Sequence, residues 1–330
     1  MIKVFSYDGK EVEEPDFNDI EKTSLSKKTK NQWVVLKNAS HEEISKLKEK
    51  FDIHPTIIED LFSPQTRIKY EEHVDYTVII FRAIKKVHSV YVKTQVISMV
   101  FGESTLITVI NGENDTIDNL MKNKVRLESL LKKGKDFICH YIMDKEIDKY
   151  IDTKNILGED FKKLEKEFLK KPGKEVLGRL FTKELVLLEL RQLVESTTDL
   201  CLSLIKPIDN YISNELIPYF KDVYDHAFKT TESLKTILGR INGMRNSYQS
   251  IVSNKMNETM RVLTIIMAIM MPMTIITGFY GMNVQLPMQE NDWMFAIIIL
   301  LLVVISITMY FMSRKIGWIK RDKDFSMNES

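Results

Sequence analysis

The sequence predicts a membrane protein of mixed α+β and α class: an N-terminal cytoplasmic α/β domain, a long helical stalk and two C-terminal transmembrane helices. Three observations carry this prediction. Two uncharged runs stand in tandem near the C-terminus. The segment leading into them has no helix breaker between Pro218 and Pro272. The first third alternates β-rich runs with short helical ones.

The apolar runs are "VLTIIMAIMMPMTIITGFY", from Val262 to Tyr280, and "WMFAIIILLLVVISITMYFM", from Trp293 to Met312. At about 1.5 Å per residue, each is long enough to cross a hydrocarbon core of roughly 30 Å. Pro272 is tolerable there, because neighbouring groups in a membrane helix re-satisfy the freed carbonyl. Basic residues flank the pair: Lys255 and Arg261 before it, and Arg314, Lys315, Lys320, Arg321 and Lys323 after it. The intervening loop has no Lys or Arg but carries Glu290 and Asp292. The positive-inside rule then puts both termini in the cytoplasm and the loop outside, giving a multi-pass protein of the inner or plasma membrane. The N-terminus lacks an apolar h-region, so no cleaved signal peptide is expected.

In the first third, "NQWVVLKN", "DYTVIIFRAI", "SVYVKTQVISMV" and "STLITVIN" read as strands. Ser40 and Glu43 have capping-box spacing ahead of "HEEISKLKEKF", and "HPTIIEDLF" reads as a second short helix. The chain has no GxSxG, no glycine-rich phosphate loop and only scattered histidines, so no enzyme activity and no organic cofactor are expected. Lys and Arg number 47 against 46 Asp and Glu, a net charge of +1 that gives nucleic acid no field to follow. Cys139 and Cys201 follow no metal-ligand spacing and read as structural thiols. The expected organisation is an α/β domain at 1–112, a helical region at 113–218 broken at "KKPGKE", and a stalk helix at 219–280 whose last part, 262–280, is the first span. A loop at 281–292, the second span at 293–312 and a basic tail at 313–330 complete it.

The stalk carries two stripes. Phe220, Val223, Ala227, Thr230, Leu234, Ile237, Ile241, Met244, Tyr248 and Ile251 alternate threes and fours, a heptad seam that should pack on protein. A second stripe runs through Asn257, Met260, Thr264, Met267, Met271, Thr274 and Gly278. Extended backward to Asp222 it holds small, polar or charged residues only. Either this stripe meets bulk water, with its threonines bonded back to their own helix, or several copies turn it inward as a funnel that narrows into a pore. In the second case Asn257 and Thr274 form polar rings, and Met260, Leu263 and Met271 form apolar constrictions, Leu263 being brought in by helix drift.

The stretch "SNKMNETMRVLTIIMAIMMPMTIITGFYGMN", with "PYFKDVYDHAFKT" upstream, resembles the CorA family of magnesium channels. The resemblance implies a homopentamer in the lipid membrane that conducts divalent cations inward. Mg²⁺ would be both cargo and regulator, and Co²⁺, Ni²⁺ and Zn²⁺ are further candidate ions. It implies an ion-binding mouth at Gly281, Met282 and Asn283, supported by Tyr280, with Asn257, Met260, Leu263, Met271, Thr274 and Gly278 lining the pore. It also implies regulatory Mg²⁺ between subunits at Asp60 and Asp222, with Glu59 nearby; surface ion pairing is the other reading of these acids. Glu290 and Asp292 suit either an outer cation-concentrating ring or plain loop solubility. Many family members follow the triplet with Met-Pro-Glu-Leu, whereas this chain reads "VQLPMQEND", so the acid is displaced. A zinc-transporting branch typically alters the middle residue of the triplet, and Met282 favours the magnesium branch. A coiled-coil scaffold without a pore would explain the heptads but not the polar stripe.

Overall fold

The computed structural model describes residues 1–19, 25, 30–206, 211–284 and 293–315, and clusters them into two compact units that meet between Met244 and Arg245. The first unit holds a seven-stranded sheet of β1 (Ile2–Tyr7), β2 (Val12–Glu13), β3 (Asn31–Lys37), β4 (Lys69–Glu72), β5 (Thr77–Val87), β6 (Val92–Phe101) and β7 (Thr105–Ile110). Its spatial order is β2-β1-β3-β7-β6-β5-β4. All neighbours are antiparallel except β3 and β7, which run parallel.

Two helices lie between β3 and β4, namely α1 (His41–Phe51) and α2 (Pro55–Phe62). The start of α1 is set by Ser40: its hydroxyl accepts from the Glu43 N–H, and the Glu43 carboxylate accepts from the Ser40 N–H. Pro55 opens α2 at a position that needs no N–H donor. Leu47, Phe51, Ile57 and Leu61 from these helices share one core with Val34, Leu36, Val78, Ile80, Ile107 and Val109 of the sheet. Trp33, Val35, Ile79, Phe81 and Leu106 alternate to the opposite face and are also buried, so the middle strands are covered on both sides.

Helices α3 (Asp115–Lys122) and α4 (Lys124–Lys133) follow the sheet, then α5 (Lys135–Lys170) and α6 (Lys174–Leu204). The last two are joined through Pro172 and Gly173. They run antiparallel, because Glu167 pairs with Arg179 near the turn and Asp160 pairs with Lys183, at 2.9 Å, farther along. Cys139 and Cys201 are free and fully buried. Burial pushes both thiols up, that of Cys201 to about 12. Neither is expected to react with a maleimide at pH 7.5 while the protein is folded, because the thiolate is the nucleophile. Both should react in denaturant, and mass spectrometry showing modification of the native protein would overturn this.

One helix, α7, spans Ile217–Tyr280. Pro218 falls in its first turn, where a missing donor costs nothing, and so starts the helix from within. Up to Met244, the heptad seam is buried at Phe220, Val223, Ala227, Thr230, Leu234, Ile241 and Met244, and Ile237 is half-buried. The His140 ring sits edge-on to Phe220 at 5.9 Å, and Arg240 lies over Phe161 at 5.3 Å.

The second unit consists of the rest of α7 and of α8 (Trp293–Lys315). Pro272 sits inside α7 without ending it. Ser306 of α8 donates to the Met273 sulfur of α7 at 3.7 Å. Apolar side chains on these segments, from Met260 to Phe279 and from Trp293 to Met312, are largely exposed in the single chain. Two helices of this length and composition with uncovered apolar surfaces belong in a bilayer.

Candidate functional site

The helix that carries the polar stripe ends at Tyr280 and is followed by Gly281, Met282 and Asn283. The Gly281 N–H donates to the Thr277 carbonyl at 2.9 Å, and the Met282 N–H donates to Phe279 at 3.4 Å, so the last turn tightens as the chain leaves it. Gly281 is not among the residues with positive φ. A Cβ there would stand 3.1 Å from the Thr277 oxygen, so a larger residue would require that carbonyl to shift by a few tenths of an ångström. The Tyr280 ring is half-buried and stands edge-on to Phe279 at 5.7 Å, while Gly281, Met282 and Asn283 are exposed. Glu290 and Asp292 lie outside the described residues, as do the tail residues from 316 onward.

Asn257, Met260, Leu263, Thr264, Met271, Thr274 and Gly278 are all exposed along α7. Thr264 donates to the Met260 carbonyl at 2.8 Å and Thr274 to Met270 at 2.9 Å, so both hydroxyls bond back to their own helix. This spends each donor and leaves a lone pair on each oxygen facing outward, which suits coordinated water or a cation rather than an anion. At Gly239, Gly243 and Gly278 an added Cβ would meet open space. Among the described residues, then, no packing neighbour demands glycine at these three positions.

The proposed regulatory acids are in two different states. Asp222 is 67% exposed, and its nearest ionic neighbour is His226, at 3.9 Å. Its carboxylate oxygens are hard donors without a strong partner among the described residues, which fits a Mg²⁺ ligand. Asp60, on α2, is instead engaged: the Lys69 ammonium donates to its Oδ2 at 2.7 Å. Lys69 also pairs with Glu71 at 2.9 Å and is only 12% exposed. Burial opposes its charge, but the hydrogen bonds to Asp60 and Glu71 outweigh burial and raise the ammonium's pKa above the usual lysine value. Glu59 is exposed.

One chain does not gather Glu59, Asp60 and Asp222 into a common three-ligand group. The group it does gather among the described residues is Asp144, Asp148 and His226, whose ligand atoms all lie within 4.8 Å of one another. Its signal in the sequence was a pair of acids four apart on α5. His226, on α7, joins them only through the packing of the two helices. Lys145 already pairs with Asp148 at 2.7 Å and with Asp144 at 3.7 Å.

An α/β unit joined by a long helix to two bare apolar helices, with an Asn-bearing turn at the end of the first, defines a two-span membrane protein of the metal-transporter type. The family model described as CorA-like Mg²⁺ transporter protein matches residues 28–315. The cobalt/magnesium transport protein CorA of Thermotoga maritima is 27% identical over 326 residues, covering 96% of this chain and 92% of that protein. A putative metal ion transporter of Bacillus subtilis, YfjQ, is 28% identical over 290 residues, covering 87% and 89%. Among solved structures, the complete CorA magnesium transporter from Methanocaldococcus jannaschii matches with a TM-score of 0.75 at 22% identity, covering 97% of this chain and 99% of that one, a likeness of fold. The chain belongs to the CorA-like Mg²⁺ transporter family.

Proposed function

We propose that this protein moves Mg²⁺ across the cell membrane as a homopentameric channel, with Co²⁺, named beside Mg²⁺ in the Thermotoga maritima relative, as a second cargo. The observation that carries the reading is the uncovered stripe of α7, small, polar or charged before the span and made of Asn, Thr, Met and Gly within it, which leads to Asn283 just past the helix end. A two-span chain cannot enclose water alone, so the stripe acquires a purpose only when several copies face one another. Both termini then lie in the cytoplasm, and the turn at Gly281 lies outside.

Mg²⁺ gives up its water reluctantly. A ring of neutral Asn283 amides, accepting from coordinated water through their carbonyl oxygens, captures the hydrated ion weakly enough to release it. Asn257 and Thr274 supply polar rings farther in, and Met260, Leu263 and Met271 form necks that exclude the ion when they close. Gly278 leaves room where neighbouring helices approach. In the cytoplasm, Asp222 of one subunit and Asp60, with Glu59, of the next would hold a regulatory Mg²⁺ that neutralises their mutual repulsion. Loss of that ion would loosen the subunits and widen the necks.

The test is Mg²⁺ flux into proteoliposomes, with Co²⁺, Ni²⁺ and Zn²⁺ as competitors. Purified protein that passes no Mg²⁺ above lipid background would end the reading. For the regulatory part, Asp222→Asn should raise the Mg²⁺ concentration that protects the protein from proteolysis by about tenfold, the order expected when a site loses one ligand charge. An unchanged protection curve would remove Asp222 from the site.

A further inference from the structure

The engagement of Asp60 by Lys69 is built into the fold. The Lys69 backbone is registered opposite Ile80 in the β4–β5 pair. The segment between α2 and β4 is pinned by Arg82, which donates to the carbonyls of Thr66 at 2.9 Å and Pro64 at 3.1 Å. The Thr66 hydroxyl in turn donates to the Asp60 carbonyl at 2.9 Å. Both ends of the Asp60–Lys69 contact are thus held by backbone, and the ammonium is largely buried. A long lysine free to sweep through solvent would contribute little. This one is held where it faces the acid.

We propose that Lys69 is a tethered competitor for Asp60: it holds the carboxylate when Mg²⁺ is scarce and sets the cytoplasmic Mg²⁺ concentration at which Asp60 takes the ion. The inference rests on the reading of Asp60 as a regulatory Mg²⁺ ligand. Two features make the exchange workable. Lys69 has a second partner in Glu71, so yielding Asp60 does not strand a buried charge. Only Oδ2 of Asp60 carries the ammonium, and its Oδ1 has no partner among the described residues, which leaves an approach for the ion or its water. A divalent ion arriving there meets a fixed positive charge within a few ångströms, and that repulsion weakens binding.

The experiment measures the Mg²⁺ midpoint of protection from proteolysis in the full-length protein, native against Lys69→Met, Lys69→Gln, Lys69→Arg and Asp60→Asn. Removing the charge with Met should lower the midpoint by about tenfold, the size of one unit charge acting across a partly exposed site. Gln should do the same, and it serves if the Met variant does not fold. Arg keeps the charge and should leave the midpoint within about twofold of native. Asp60→Asn should raise it. If Asp60→Asn leaves the midpoint unmoved, the assignment of Asp60 to the metal site fails. If Asp60→Asn raises it while neither neutral variant lowers it, the site stands and the competitor role of Lys69 is overturned.

Discussion

Replacing Asn283 by Ala is expected to reduce Mg²⁺ flux into proteoliposomes by about 100-fold or more. The estimate starts from a single hydrogen bond to a charged partner, worth about 1.5–3 kcal/mol, or roughly 10- to 150-fold in capture. In a symmetric assembly every subunit loses the same bond. Ala removes the carbonyl oxygen but leaves the tightened turn at Gly281 intact, because that turn is held by the Gly281 and Met282 N–H groups and not by the Asn283 side chain. The loss should therefore appear in flux without a change in melting temperature. Asn283→Asp is the informative contrast: a carboxylate ring should bind the ion more tightly and pass it more slowly. Native-like flux in Asn283→Ala would mean that the ion is not captured by the Asn283 side chain.

The second large effect concerns stability and centres on Glu146, which has no solvent exposure. Its Oε1 accepts from Thr116 Oγ1 at 2.6 Å, Asn114 Nδ2 at 3.2 Å and Lys149 Nζ at 2.8 Å. Asn114 also caps α3, its Oδ1 accepting from the Ile117 N–H at 3.0 Å. One carboxylate thus ties the start of α3 to α5 and fixes the ammonium of Lys149. Glu146→Ala leaves two buried donors without an acceptor and Lys149 without its counter-charge. The expected cost is about 3–5 kcal/mol, seen as a drop in apparent melting temperature on the order of 5–10 °C. Glu146→Gln keeps an acceptor oxygen for Asn114 and Thr116 and should lose about half as much. A loss below roughly 1 kcal/mol for the Ala variant would show that water replaces the carboxylate.

Several of these features could be read before any coordinates. The runs around Trp33, Val78, Val100 and Ile107 carry dense β-branched and aromatic residues and form strands. The Ser40–Glu43 spacing marks the start of α1, and the Pro172–Gly173 break separates α5 from α6. β1, β2 and β4 were not read as strands. β2 and β4 are short edge strands, and "KYEE" at β4 becomes a strand through its ladder with β5, whereas β1 is an inner strand held by its ladder with β3.

The sequence by itself determined whatever depends on neighbours along the chain. Two uncharged runs specify two spans because each must satisfy its own backbone in lipid. The threes and fours after Pro218 specify which side of α7 packs, because helical period alone sorts its residues into faces. The stretch ending at Asn283 identified the family because its residues are contiguous. Tertiary structure decided the pairings between distant positions. Lys69 neutralises Asp60 because β4 joins the sheet edge beside α2. His226 meets Asp144 and Asp148 because α7 lies along α5, and Glu146 finds Asn114 and Thr116 across 32 and 30 residues. Charges act through space over a few ångströms, and no local pattern records which distant residues the fold will bring within that reach.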